Sequence, residues 1–165
     1  MNWLSPLSCL LSLSVVASVF ANEAEDAWYS ISVKMKADKK NEAFRYVENQ
    51  EGLPNVLIYG DSISIAYTPT VRSELEGKAN VYRIQVNGGD SSSFIPKMDT
   101  LRETMKGHWT HDWDVVHFNV GLHDLKFVVK GKLDKVNGKQ VSSLAEYEAN
   151  LRGIIAYLKT EAPKA

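Results

Sequence analysis

Apolar positions along the chain fall into short runs separated by polar turns. Val56 to Tyr59 is nearly continuous and apolar, the pattern of a strand covered on both faces, and it stops at Gly60-Asp61-Ser62. Thr68-Pro69 has the form of a helix start, a capping hydroxyl followed by proline at the first helical position. Val71 and Leu75 then share a face, and Gly77 is placed to stop the helix. Asn80 to Val86 predicts a second strand, Phe94 to Met105 a second helix and Val115 to Val120 a third strand. Asn137-Gly138 predicts a tight hairpin turn. Ser143 and Glu146 form a capping box ahead of the helical stripe Leu144, Tyr147, Leu151, Ile154, Ile155 and Leu158.

The order strand, helix, strand, helix, strand, hairpin, helix predicts an α/β fold, a parallel sheet with helices on both faces. In such a fold the last helix feeds a further strand, yet the sequence ends at Ala165. The expectation is therefore a domain over residues 53–165 that is incomplete at its C-terminus, its last strands missing, or else a sheet of three main strands. Residues 22–52 read as a polar leader wrapping that domain. The alternation of Ile31, Val33 and Met35 suggests a short edge strand within it.

Residues 1–21 carry no charged side chain, are apolar from Leu10 to Phe20 and end in Val19-Phe20-Ala21. They read as a signal peptide cut after Ala21, which makes the product secreted or periplasmic and leaves no stable membrane anchor after cleavage. The rival reading, a membrane anchor, is disfavoured because the run is shorter than the ~20 residues a spanning helix needs. Cys9 is the only cysteine and leaves with the signal, so no disulfide and no thiolate chemistry is expected of the mature chain.

At 165 residues the chain suffices for one domain with a sizeable core, and its formal net charge of −1 gives no support to a nucleic-acid partner. His108, His111, Asp112 and His117 match no zinc spacing, so neither a metal nor a cofactor is expected. His117 reads as a packed strand residue facing a helix, and Trp109 and Trp113 as packing residues rather than a sugar platform.

Ligands of parallel α/β sheets bind beyond the carboxyl ends of the strands. Three such ends are Gly60-Asp61-Ser62, Asn87-Gly88-Gly89-Asp90 and Gly121-Leu122-His123-Asp124. Each alone is an ordinary turn; their joint placement on one rim points to a site. Ser62 exposes a hydroxyl there, and the amides of Ser62 and Gly89 are candidate donors to an oxyanion.

These three segments, in this order, resemble blocks I to III of the SGNH (GDSL-type) hydrolases. The resemblance runs from about Val56 to Asp124. It implies a three-layer α/β/α sandwich, flavodoxin-like in its parallel sheet, and a serine esterase working through an acyl-enzyme. Ser62 matches the nucleophile and Gly89 the amide donor. His123 stands where the family carries an asparagine donor, and an imidazole N–H can donate as well. Asp61, Asn87, Gly121 and Asp124 are expected to support the site. The family's base is a histidine in an Asp-x-x-His block near the C-terminus, and no histidine follows His123 here. Either that block lies beyond the sequence, leaving this chain inactive as it stands, or His123 is recruited as the base. The expected substrate is a small-molecule or carbohydrate ester, acetyl esters on carbohydrate among them; the alternative is a catalytically dead α/β binding module.

Overall fold

The structure, a computed structural model, describes residues 23–31 and 40–165. The signal peptide with its cleavage after Ala21, Cys9, and the strand positions Val33 and Met35 lie outside the described residues. The chain is mixed α/β. Strands β1 (Asn55–Gly60), β2 (Asn80–Arg83) and β3 (Val115–Asn119) form a parallel sheet in the order β2-β1-β3. β1 is central, and Leu57 to Gly60 are buried, as its unbroken apolar run requires.

Alternation along the strands separates the two faces. Leu57 and Tyr59 of β1, Tyr82 of β2, and Val116 and Phe118 of β3 join a core with α3 (Phe94–Thr104) and α4 (Leu144–Glu161). Phe94 sits at its centre, its ring 4.2 Å from that of Tyr59 and 5.8 Å from that of Phe118. Ile58, Val81 and Arg83 are buried on the opposite face, where α2 (Ser62–Glu74) packs on β1 and β2. α2 stops short of covering β3. Val115 is 50% exposed and His117 is open to solvent, its Nε2 2.9 Å from the Tyr67 hydroxyl of α2. β3 is thus less enclosed than its apolar sequence suggests.

Four local expectations change. Helix α2 starts at Ser62, not at Thr68-Pro69, because Asp61 supplies the cap directly after β1 and Pro69 is carried inside the helix. The residues α2 buries are Ser64, Thr68 and Arg72, a polar stripe, while Val71 and Leu75 are only half-buried. Ile31 is helical, within α1 (residues 23–31), instead of in an edge strand. The tight hairpin turn is Lys130-Gly131, both residues at positive φ, between β4 (Phe127–Val129) and β5 (Lys132–Leu133). Asn137-Gly138 instead ends a loop, organised by the Asp134 carboxylate, that leads to β6 (Lys139–Gln140). These short strands make an antiparallel sheet in the order β5-β4-β6.

The capping box at Ser143 and Glu146 forms as expected. Ile154 of α4 is buried, and Tyr147, Leu151 and Leu158 are half-buried, but Leu144 and Ile155 remain exposed.

The leader belongs to the core. Trp28 of α1 is 1% exposed, donates its indole N–H to the Phe44 carbonyl at 2.8 Å, and lies 5.3 Å from Trp109. Trp109 and Trp113 pack edge-on against Tyr82, which supports the packing role expected of them. Trp28→Ala should lower stability by about 3–5 kcal/mol, the cost of truncating a buried aromatic, read as a shift in the urea midpoint.

His111 borders this aromatic cluster at a positive φ of 54°. Burial, reinforced by the Arg102 guanidinium, holds its imidazole below the usual histidine range. As pH falls below about 6.5, the unfolded chain takes up a proton there that the folded chain refuses, so stability should fall. Thermal melts of His111→Asn, a residue that tolerates left-handed backbone, should show a flatter slope across this window.

Candidate functional site at the carboxyl ends of the strands

β1 delivers the chain straight into α2. The Asp61 carboxylate, 1% exposed, accepts the Ile63 N–H at 2.9 Å and caps the helix. Ser62 therefore occupies the first helical position. It is exposed, and its hydroxyl has no hydrogen-bond partner among the described residues.

Beneath this turn lies Arg83, which the sequence reading passed over as part of an apolar strand. It is fully buried. Its Nη2 donates to the Gly60 carbonyl at 2.9 Å, the Asp61 carbonyl at 3.3 Å and Ser64 Oγ at 2.8 Å. Its Nη1 donates to the carbonyls of Ile84 at 2.7 Å and Val86 at 2.8 Å. The Phe44 ring lies 4.9 Å from the guanidinium carbon. Burial pushes Arg83 down to about 10, which still leaves it cationic at neutral pH. An arginine set between Tyr82 and Ile84 was the available signal.

The tips of β1 and β2 touch. The Gly88 N–H donates to the Gly60 carbonyl at 2.8 Å, and a Cβ on Gly88 would stand 2.8 Å from the Gly60 carbonyl carbon. Only glycine fits there. The Tyr59 hydroxyl donates to the Gly88 carbonyl at 2.9 Å, and Lys97 Nζ donates to the carbonyls of Asn87 at 3.0 Å and Gly88 at 2.8 Å. Gly89 has φ +74° and donates its amide to Asn87 Oδ1 at 3.0 Å. That amide is therefore engaged, and a ligand reaches it only by displacing the exposed Asn87 side chain.

The third segment is pinned by Asp124, 3% exposed. Its carboxylate accepts the Ser91 N–H at 2.9 Å, Ser91 Oγ at 2.6 Å and Ser142 Oγ at 2.7 Å. Asn150 of α4 adds a bond to Ser91 Oγ at 2.9 Å. Asp124 thus ties the second and third loops to α4. Gly121, at φ +137°, lies under Tyr147, whose hydroxyl donates to the Val120 carbonyl at 3.1 Å. Gly121, Asp124, Leu125, Leu144 and Tyr147 help line a cavity of about 230 Å³ beside this loop.

His123 projects toward the first loop, with Nε2 3.8 Å from Asp61 Oδ2 and Nδ1 3.0 Å from Lys126 Nζ. A lysine ammonium has donors only, so Nδ1 accepts and the ring proton sits on Nε2, the side of Asp61. Lys126 was not foreseen; its place three residues after His123 was the available hint. The fold thus brings the Asp61-Ser62, Gly88-Gly89 and His123-Asp124 segments to one rim. It leaves His117 in mid-strand with Tyr67, and His111 among the aromatics preceding β3. Among the described residues no three His, Cys, Asp or Glu side chains cluster to hold a metal ion.

No model of a known protein family matches the chain, and no curated protein matches it. The likeness to SGNH hydrolases therefore rests on the three segments and their placement.

Replacing Arg83 by Met removes a donor from four backbone carbonyls, of which those of Gly60 and Asp61 keep another. The expected loss is about 2–4 kcal/mol of stability in chemical denaturation. Arg83→Lys should recover little of it, because a single ammonium cannot span acceptors set for a planar fork.

Proposed function

We propose that the rim is the site of an SGNH-type carboxylic ester hydrolase built on a three-layer α/β/α frame. The observation that carries this reading is the exposed, unpartnered Ser62 hydroxyl at the first position of α2, with the His123 imidazole reaching to Asp61 beside it. Ser62 Oγ attacks the ester carbonyl carbon, its proton passing to a base. The tetrahedral oxyanion collapses with loss of the alcohol, and water then frees the acid from the acyl-enzyme. The Nε2–H of His123 and the amide of Ser62 are the donors for the oxyanion, joined by Gly89 once Asn87 turns away. The substrate class that belongs to this reading is an ester of a small alcohol or of a carbohydrate. Export through residues 1–21 belongs to the same proposal.

A second reading draws on the tautomer of His123. With its proton on Nε2, this imidazole cannot take the proton of Ser62. A binding module that holds an ester or carboxylate ligand without turning it over is the form the rim takes if no other base serves it.

Labelling by a fluorophosphonate and hydrolysis of p-nitrophenyl acetate test both readings. For the enzyme, Ser62 is labelled and Ser62→Ala abolishes both signals. His123→Ala should lower turnover by about 10²–10³-fold, as loss of one oxyanion donor does, while His123→Asn retains it within roughly tenfold. Asparagine can donate but cannot act as a base. Loss in His123→Asn as complete as in Ser62→Ala would therefore make His123 the base. No labelling and no turnover would leave the binding module.

A further inference from the structure

The loop that follows β2 is gripped by its carbonyls. The Asn87 carbonyl accepts from Lys97 Nζ at 3.0 Å. The Gly88 carbonyl accepts from Lys97 Nζ at 2.8 Å and from the Tyr59 hydroxyl at 2.9 Å. Tyr59 is fully buried and Lys97 half-buried, so the Gly88 carbonyl is turned toward the interior. The peptide bond that joins Gly88 to Gly89 is trans, and in a planar trans peptide the N–H points opposite to the C=O. The Gly89 N–H is therefore turned to the outer side of the loop, where its acceptor is the side chain of the exposed Asn87.

The place is an unfavourable one for a lysine. Lys97 is the fourth residue of α3, close to the positive end of the helix dipole, which opposes a cation. It forms no ion pair among the described residues. Burial holds its ammonium below the usual lysine range, an effect that the charge of Asp90 opposes. The ammonium lies directly behind Gly89: a Cβ on that glycine would stand 3.1 Å from Lys97 Nζ.

Resting on the reading of the rim as an ester site, we propose that Lys97 is a positioning residue, which turns the Gly89 N–H outward and strengthens it as a donor to the oxyanion. Two effects combine. The first is aim: a donor already fixed in direction needs no reorganisation when negative charge develops. The second is polarisation. A charged donor on the Gly88 carbonyl draws electron density through the peptide unit, and hydrogen bonds chained in this way strengthen one another by roughly 10–30% per bond. Lys97 does not touch the reacting atoms and acts through the amide alone. In the free protein Asn87 Oδ1 holds the place that the substrate oxygen takes.

The test compares Lys97→Met, which keeps the aliphatic stem and removes donor and charge, with Lys97→Arg, which keeps both. The Met variant should melt close to the wild type, because Tyr59 still serves the Gly88 carbonyl and Asn87 is open to water. One readout is the Gly89 amide in nitrogen–proton correlation spectra of the full chain, which does not involve hydrolysis. The other is kcat and KM for p-nitrophenyl acetate. In Lys97→Met the Gly89 amide proton should move upfield and kcat should fall about tenfold or more, with KM changed by less than about twofold. Lys97→Arg should restore both. A Gly89 amide unmoved in Lys97→Met overturns the proposal, and so does a shifted amide with kcat retained. A Met variant that melts far below the wild type, with no rescue by Arg, assigns Lys97 a packing role and overturns it as well. A wild type that neither hydrolyses the ester nor reacts with a fluorophosphonate overturns the esterase reading instead. Lys97 is then judged by titration with acetate, which should shift the Gly89 amide in the wild type and not in Lys97→Met; equal responses, or none in the wild type, refute its role.

Discussion

The guanidinium of Arg83 joins the two strand tips on which the rim is built, and it does so without a carboxylate in hydrogen-bond contact. Burying a lone cation is costly unless its donors are satisfied. Here the compensation reaches Nη1 and Nη2 from four backbone carbonyls and the Ser64 hydroxyl, while the buried Nε has no partner among the described residues. The requirement propagates outward. One acceptor, Ser64 Oγ, must lie on the inner face of α2, and it heads the polar stripe that this helix buries in place of its aliphatic residues. Ser64 must come close to the end of β1, so close that a Cβ on Gly60 would stand 2.9 Å from Ser64 Oγ. Asp61 must then begin the helix at once, and Ser62 is left outside at the first turn. Arg72 repeats the device one layer out, its Nε on the Val81 carbonyl at 3.1 Å and its Nη1 on the Glu42 carbonyl at 2.6 Å. The two arginines fasten β1, β2, α2 and the Glu42–Phe44 turn to one another.

What could be read from the sequence follows from which signals are local. The three parallel strands, α3 and the start of α4 were legible because each is set by its own apolar period or its own cap. The start of α2 was not, because two caps compete for it. Thr68-Pro69 has the better local form, but Asp61 follows the strand directly and its carboxylate finds the Ile63 N–H. Once the helix has begun, Pro69 costs it one hydrogen bond, and the Thr68 hydroxyl bonds the Ser64 carbonyl at 2.6 Å. Asn137-Gly138 misled for a related reason. Its preference for a tight turn is real, but Asp134 gathers the preceding amides into a longer loop, and the reversal falls at Lys130-Gly131. Trp28 could not be placed by periodicity, since its partners Phe44 and Trp109 are far from it in sequence.

The convergence of the three rim segments was legible, but their hydrogen bonding was not. Strand ends can be counted from the sequence, and the parallel order puts them on one side. That Asp124 gathers three donors from two loops is a consequence of tertiary packing, while the bond of the Gly89 amide to Asn87 and that of Lys126 to His123 are local ones that the sequence does not announce. Lysine and serine at those spacings are too common to be noticed before the loops are folded together.

The same contacts fix the electrostatic character of the rim. Asp61, the carboxylate nearest Ser62 in the chain, is enclosed and already accepts the Ile63 N–H while facing the His123 N–H. Its negative charge is directed inward. Arg83 adds a buried positive charge below, and the positive end of α2 lies beside Ser62, its Ile63 amide already held by Asp61. What the rim turns outward is therefore an exposed hydroxyl at the positive end of a helix, above a buried cation. Charge that develops there is better tolerated if it is negative, and the packing that secures this asymmetry is the packing that holds β1 to β2. Site and fold are not separable here: loosening the strand tips would remove the cation, the cap and the exposure of Ser62 together.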